Sequence, residues 1–294
     1  MSKIRSFNPQ ELAQGELHGY LLSAVAPRPI CFASTINTAG EVNLSPFSFF
    51  NVFSSNPPVM IFSPARRGRD NTVKHSYKNV KEVAEVTISV VNYAMVEQMS
   101  LASTEYAQGV NEFEKAGFTQ VPSELVKPPR VGEAPVNFEC KVTQVIELGD
   151  GPGAGNLVLA EVVRIHVQEK YIQEGKGLNT PLLDLVGRMG GSWYTRASGD
   201  SLFEIPKPLR TLGIGVDALP ETVRSSTVLT GNQLGRLGNS EELPTEQQAQ
   251  HWAEIEDWKT ISSTEEGHRQ AATYLEQGET DKALALLIWA SKNH

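Results

Sequence analysis

The residues with the most evident chemistry in this 294-residue chain lie between Arg28 and Thr72. Ser34, Thr35, Asn43, Ser45, Ser48 and Asn51 interrupt an apolar β pattern there. Arg66, Arg67 and Arg69 follow, directly before an expected helix start at Asp70. Hydroxyls and amides along a strand supply donors and acceptors. Arginine forks and the free N–H groups of a helix N-terminus attract an anion. The mixture suits a planar aromatic ligand with a phosphate tail.

Other chemistries find little support. His18, His75 and His166 lack the spacing of metal ligands, so no metal site is expected. No G-x-S-x-G, P-loop or G-x-G-x-x-G in strand–helix context occurs, and the glycines from Gly149 to Gly155 read as a hairpin turn. Cys31 and Cys140 are the only cysteines, which rules out a disulfide framework and fits a reducing cytoplasm. Net charge is −8, and from Glu221 onward 12 acidic residues stand against 6 basic ones. With the rest nearly balanced, no polyanion-binding surface and no nucleic-acid partner are expected. The first residues lack a hydrophobic signal core, and no apolar run reaches the roughly 18 residues of a membrane helix. A soluble, cytoplasmic protein without membrane association is the expectation.

The elements that must position these groups are mostly strands. Residues 1–27 form a lead-in segment with a helix start at Asn8 (N-cap) and Pro9. Arg28 to Ile36, Val42 to Phe53 and Val59 to Ser63 read as strands, joined by turns at Asn37–Gly40 and Asn56–Pro58. Alternation fails between Ser45 and Ser48, so a bulge or bend is expected near Pro46. A helix over Asp70 to Val80, with Asp70 as N-cap, leads to a strand over Val86 to Asn92. Short helices follow at Ala94–Ala102 and Asn111–Gly117, the second stopped by glycine. Val136 to Leu148 and Leu157 to Val167 read as a long hairpin. Strands with short inserted helices and no regular strand–helix alternation indicate a barrel. After about Pro206 the pattern becomes helical, with helices expected at Glu246–Trp258, Glu265–Gln277 and Asp281–Ala290. The last two faintly resemble half a tetratricopeptide-type repeat. One copy is no array, so a packing arm is expected rather than a peptide-binding solenoid.

The segment A-S-T-I-N-T-A-G-E-V-N-L-S-P-F-S-F-F-N-V-F-S-S-N-P-P-V resembles the flavin reductase-like family of FMN-binding split barrels. So do the arginine loop with R-D-N-T, the stretch G-V-N-E-F-E-K-A-G-F-T, P-V-N-F-E-C-K-V, and R-M-G-G-S-W-Y. The resemblance runs from about Leu21 to Tyr194. It implies a mainly β, Greek-key split β-barrel with short inserted helices over 1–205, a homodimer, and FMN bound noncovalently at the dimer interface. Residues 206–294 are a helical C-terminal extension to which nothing is carried over. By this resemblance Ser34 and Thr35 face the isoalloxazine or ribityl chain. Asn43, Ser45, Pro46, Phe47, Ser48, Phe50 and Asn51 form a wall, with flat apolar cover for the rings and polar groups for their edge. Phe49 is expected to face away from Phe50. Phe62, Ser63, Arg66, Arg67, Arg69, Asn71 and Thr72 hold the phosphate, with Lys74 and Asn79 as weaker candidates. Asn71 is inserted between the Asp and Thr of the family's pattern, which leaves open which residue touches the phosphate. Arg188, Gly190, Gly191 and Tyr194 approach the flavin near the end of the barrel.

The resemblance further implies hydride transfer from NADH or NADPH, a transient reductant, to flavin N5. Electrons then pass to a second acceptor, either a small molecule or an oxygenase partner. Such a step needs no catalytic acid or base on the protein. Two other readings are an FMN-binding electron carrier or flavin-storage protein without its own NAD(P)H activity, and an adaptor whose acidic helical arm binds a partner.

Overall fold

The computed structural model describes residues 3–205 and 211–294. The composition change expected at Pro206 therefore falls on residues outside this range. The chain forms two compact units, Met1–Phe203 and Glu204–His294.

In the first unit, Asn8 caps a short 3-10 turn over Pro9–Glu11 by accepting from the Gln10 N–H, and α1 follows over Gln14–Ala24. The strand expected from Arg28 to Ile36 is split into β1 (Arg28–Pro29) and β2 (Cys31–Ile36). Gly40, at φ +86°, makes the turn into β3 (Val42–Phe47). The single strand expected over Val42 to Phe53 is two strands. β3 ends at Phe47, and β4 (Phe50–Ser55) starts after a break at Ser48 and Phe49. The bend expected near Pro46 comes at Ser48 and Phe49, and Pro46 itself stays in the strand. It lies in β3 opposite Phe32, and β3 is an edge strand whose outward positions owe no ladder bond. The break lets the two halves join opposite edges of one sheet.

β5 (Pro58–Phe62) pairs back on β4. Next come α2 (His75–Glu82), β6 (Glu85–Val90), α3 (Val96–Ala102) and α4 (Glu112–Ala116). Asn111 caps α4, and Gly117 ends it at φ +70°, a left-handed position that favours glycine. A small ladder of β7 (Gln120–Val121) with β8 (Arg130–Val131) precedes the long hairpin, β9 (Val136–Glu147) and β10 (Asn156–Val167). The seven-stranded sheet runs in the order β3-β2-β6-β9-β10-β5-β4, with antiparallel neighbours throughout. After β11 (Ile172–Gln173), β12 (Gly177–Leu178) and α5 (Thr180–Leu183), β13 (Val186–Arg188) and β14 (Tyr194–Arg196) form a smaller sheet with β1.

Two cores meet at β2. Cys31 and Ala33 pack with Phe47, Phe62, Ile88 and Val158 on one face. Phe32 packs with Leu44, Met95, Met99, Phe113 and Phe118 on the other, beneath α3 and α4. A strand covered on both faces is buried at every position, whatever its side chains. That is why Ser34 and Thr35 are fully buried.

In the second unit, α6 (Glu221–Arg224) and α7 (Gly231–Gly238) lead to α8 (Glu246–Ile255), α9 (Thr264–Glu276) and α10 (Thr280–Asn293). α10 is buried without interruption from Ala283 to Ala290, so it is the central helix of its unit. Trp258, Leu237 and Tyr274 pack in one cluster with its Leu284, Leu287 and Trp289. The helices expected in the tail are present. They build a core of their own.

Because each unit has its own core, a chain ending at residue 205 is expected to unfold cooperatively on heating. A broad, non-cooperative transition in calorimetry would contradict this.

Candidate functional site

The arginine loop leaves the end of β5 and is stitched to the turn of the β9–β10 hairpin. The Ser63 hydroxyl accepts from the Asn156 N–H (3.1 Å), and Asn156 Nδ2 donates to the Pro64 carbonyl (2.9 Å). The Arg66 N–H donates to the Ala154 carbonyl (2.8 Å), and the Gly153 N–H returns to the Arg66 carbonyl (3.2 Å).

The loop then closes on itself. The Arg67 N–H donates to the Thr72 carbonyl, and the Asn71 N–H to the Arg67 carbonyl. The helix expected from Asp70 is a correction: α2 begins at His75, and Lys74 at its N-cap gives no side-chain cap. Asp70 instead accepts from the Thr72 N–H (3.0 Å) and hydroxyl (2.6 Å), a local turn that competes with helix. These bonds to Thr72, then the one from Arg69, hold its carboxyl well below the usual range.

Each guanidinium has a defined partner. Asn71 sits at φ +59°, in the left-handed region that asparagine tolerates better than most residues. From there its Oδ1 and its carbonyl accept from Arg66 Nε (2.7 Å) and Nη2 (2.9 Å), while its Nδ2 donates to the Asp150 carbonyl. The inserted residue therefore positions Arg66. Arg67 Nη1 donates to the Thr72 hydroxyl and the Val73 carbonyl, both at 2.9 Å. Glu105, in the connection between α3 and α4, bridges Arg67 Nε (2.6 Å) and Arg69 Nη2 (2.7 Å).

These groups line a cleft of about 450 Å³ whose other walls carry Asn43, Ser45, Lys74, His75, Glu105 and Glu112. Asn43 Nδ2 donates to the Ser76 hydroxyl (3.0 Å) and to the Ser45 hydroxyl (3.3 Å). Glu112 is buried, and its Oε2 accepts the outward Leu44 N–H of β3 (2.8 Å). Burial raises its pKa against the pull of that bond. Burial, then the charge of Arg67, lowers the pKa of Lys74. Burial and then Arg67 and Lys78 lower that of His75. The cleft is cationic, with two carboxylates inside it.

The structure thus gathers Asn43, Ser45, Arg66, Arg67 and Arg69 of the expected set, with Lys74. Asn71 and Thr72 lie one layer behind, as partners of Arg66 and Arg67. Ser34 and Thr35, expected to face the ligand, are enclosed instead. Thr35 accepts from Asn79 Nδ2 (3.1 Å), and the Ser34 hydroxyl has no hydrogen-bond partner. Phe47 and Phe62 are core, with ring centroids 5.2 Å apart, and Phe50 packs on the same cluster. Ser63 serves the loop stitch, Pro46 in β3 and Ser48 in the break are half-buried, and Asn51 is exposed on β4. Tyr194 lines a separate depression with Gly190, Gly191 and Trp193, and Arg188 covers its ring at 4.5 Å. His166 is paired with the buried Glu139 at 2.7 Å. Among the described residues no cluster could hold a metal ion. Glu105 and Glu112 were not singled out from sequence. Glu112 lies in the recognised G-V-N-E-F-E stretch, whereas nothing local marks Glu105.

The fold and this cleft define a class of protein. Residues 23–191 match the flavin reductase like domain. The chain belongs to the flavin reductase-like family and is a flavin-related oxidoreductase. A functionally unassigned protein of Aquifex aeolicus is 37% identical over 189 residues, which make up 64% of this chain and 94% of that one. Nitrilotriacetate monooxygenase component B from Bacillus cereus superposes with a TM-score of 0.65 at 27% identity, over 70% of this chain and all of that one. A protein with a split barrel domain from Shewanella frigidimarina gives 0.58 at 24% identity, over 68% and 96%. The β unit is a split barrel of this kind.

Replacing Glu112 with alanine leaves the Leu44 N–H without its acceptor and is expected to cost about 1–3 kcal/mol in urea unfolding. Glu112→Gln keeps an acceptor and should cost less. Equal losses would contradict the role given to this carboxylate.

Proposed function

We propose that this protein binds FMN noncovalently in the arginine cleft and catalyses its reduction by NADH or NADPH, the electrons then passing to a second acceptor. One observation carries the reading: in a flavin reductase-like fold, three arginines converge on one cleft with the polar face of β3, and two of them already hold an anionic group. That donor set fits a dianionic phosphate. Arg67 and Arg69 would take its oxygens, Arg66 would add charge from behind, and Asn43 and Ser45 would meet the polar part of the ligand. When bound, FMN supplies the hydride-accepting chemistry. The protein's part is to hold the phosphate and orient the ring system.

No G-x-G-x-x-G in strand–helix context occurs in the sequence, which fits a transient reductant. The B. cereus neighbour is by name one component of a monooxygenase, which favours an oxygenase among the candidate acceptors. A homodimer is supported by β4, an edge strand on which Val52 and Phe53 are 56% and 64% exposed. An apolar edge of this kind calls for a covering partner. Both cysteines are free and buried, with the Cys140 thiol pushed up to about 12 by burial, which fits the reducing cytoplasm. No helix of the described residues is long and apolar enough to cross a membrane.

Anaerobic addition of NADH or NADPH to the FMN-loaded protein is expected to bleach the flavin absorbance. Persistent colour would favour the electron-carrier reading. Arg67→Ala is expected to weaken FMN binding by about 1.5–3 kcal/mol for each charged hydrogen bond lost, and the Arg66/Arg67/Arg69 triple replacement by more. Unchanged affinity in the triple variant would sink the phosphate assignment.

A further inference from the structure

Glu105 holds two of the three guanidinium groups of the cleft. Its carboxylate bridges Arg67 and Arg69 at 2.6 and 2.7 Å, inside the cleft. Arg66 lines the same cleft but gives its Nε and one Nη to Asn71. An anion that takes Arg67 Nε or Arg69 Nη2 must displace Glu105 from them. We propose that Glu105 is an internal competitor for the flavin phosphate, a specificity-determining residue that weakens the phosphate site and keeps FMN exchangeable. The inference rests on the reading of the cleft given above.

The exchange is physically easy in both directions. Glu105 is 40% exposed and Arg69 is 67% exposed, so the pair they form is screened by water and weak, whereas the pair with Arg67, 19% exposed, is screened less. The segment that carries Glu105, residues 103–111, links α3 to α4. A phosphate monoester brings close to two negative charges and three acceptor oxygens, against one charge and two oxygens for the carboxylate. It wins the fork when present. When it leaves, Glu105 is tethered close by and reclaims the arginines, so the empty site does not hold bare, mutually repelling cations. Riboflavin has no group for the fork and meets no such competition. The arrangement suits a flavin that is taken up and released more than one held permanently.

The test compares wild type, Glu105→Gln and an Arg67→Ala/Arg69→Ala variant, with FMN and riboflavin as probes, by flavin fluorescence titration and stopped-flow release. Glu105→Gln keeps the size of the side chain and removes its charge. It is expected to bind FMN on the order of three- to twentyfold tighter, with slower release, and riboflavin within about twofold of wild type. Unchanged or weaker FMN binding in Glu105→Gln, with the arginine variant still impaired, would overturn the competitor role and leave the phosphate site standing. Equal tightening of riboflavin would also overturn it. An arginine variant that binds FMN like wild type would remove the phosphate assignment, and the role of Glu105 with it.

Discussion

Three guanidinium groups lie within four consecutive positions, Arg66 to Arg69, and holding them together against their own repulsion is the constraint around which this site is built. Each is restrained by a different device. Asn71 adopts a left-handed backbone to present two acceptors to Arg66. Thr72 and Val73 take Arg67 from one side and Glu105 from the other. Asp70 and Glu105 share Arg69. The loop itself is fastened to the β9–β10 turn by backbone bonds at Arg66, so the positive charge stands at a fixed place relative to the sheet. Preorganised cations of this kind lose little freedom when an anion arrives.

The rest of the β unit fixes the opposite wall. β3 is an edge strand, and its outward N–H at Leu44 would be unpaired without Glu112. That bond ties β3 to α4, and Phe113, the next residue, anchors α4 in the core that also holds Phe32 and Leu44. The polar residues Asn43 and Ser45 are thereby presented from a strand locked on both sides, and their distance from the arginines depends on packing more than on loop conformation. The helical unit contributes none of these groups. Its core, centred on α10, is complete within residues after 203.

Much of this was legible in the sequence because local chemistry and tertiary structure agree. The long hairpin shows in the alternation of β9 and β10, the stop at Gly117 in the need for a left-handed residue, and the arginine loop in its composition. Where they part, a tertiary contact decides. The run from Val42 to Phe53 has the apolar content of one strand with a lapse in alternation after Ser45, and the pairing of its halves with opposite sheet edges turns that lapse into a division. Asp70 has the residue type of a helix cap, but it bonds to Thr72 within a closed loop, and the helix starts later. Ser34 and Thr35 look like ligand-facing hydroxyls, but their strand is covered on both faces. Glu105 is far from the arginines in sequence and carries no motif, so its part emerges only from the fold.

The central claim is that the arginine cleft receives the phosphate of a flavin, and a crystal structure of the protein with FMN tests it most directly. The account predicts the phosphate within hydrogen-bonding distance of Arg67, between the arginine loop and β3. A phosphate found elsewhere, for example at the depression beside Gly190 and Tyr194, with Arg67 and Arg69 untouched, would contradict it.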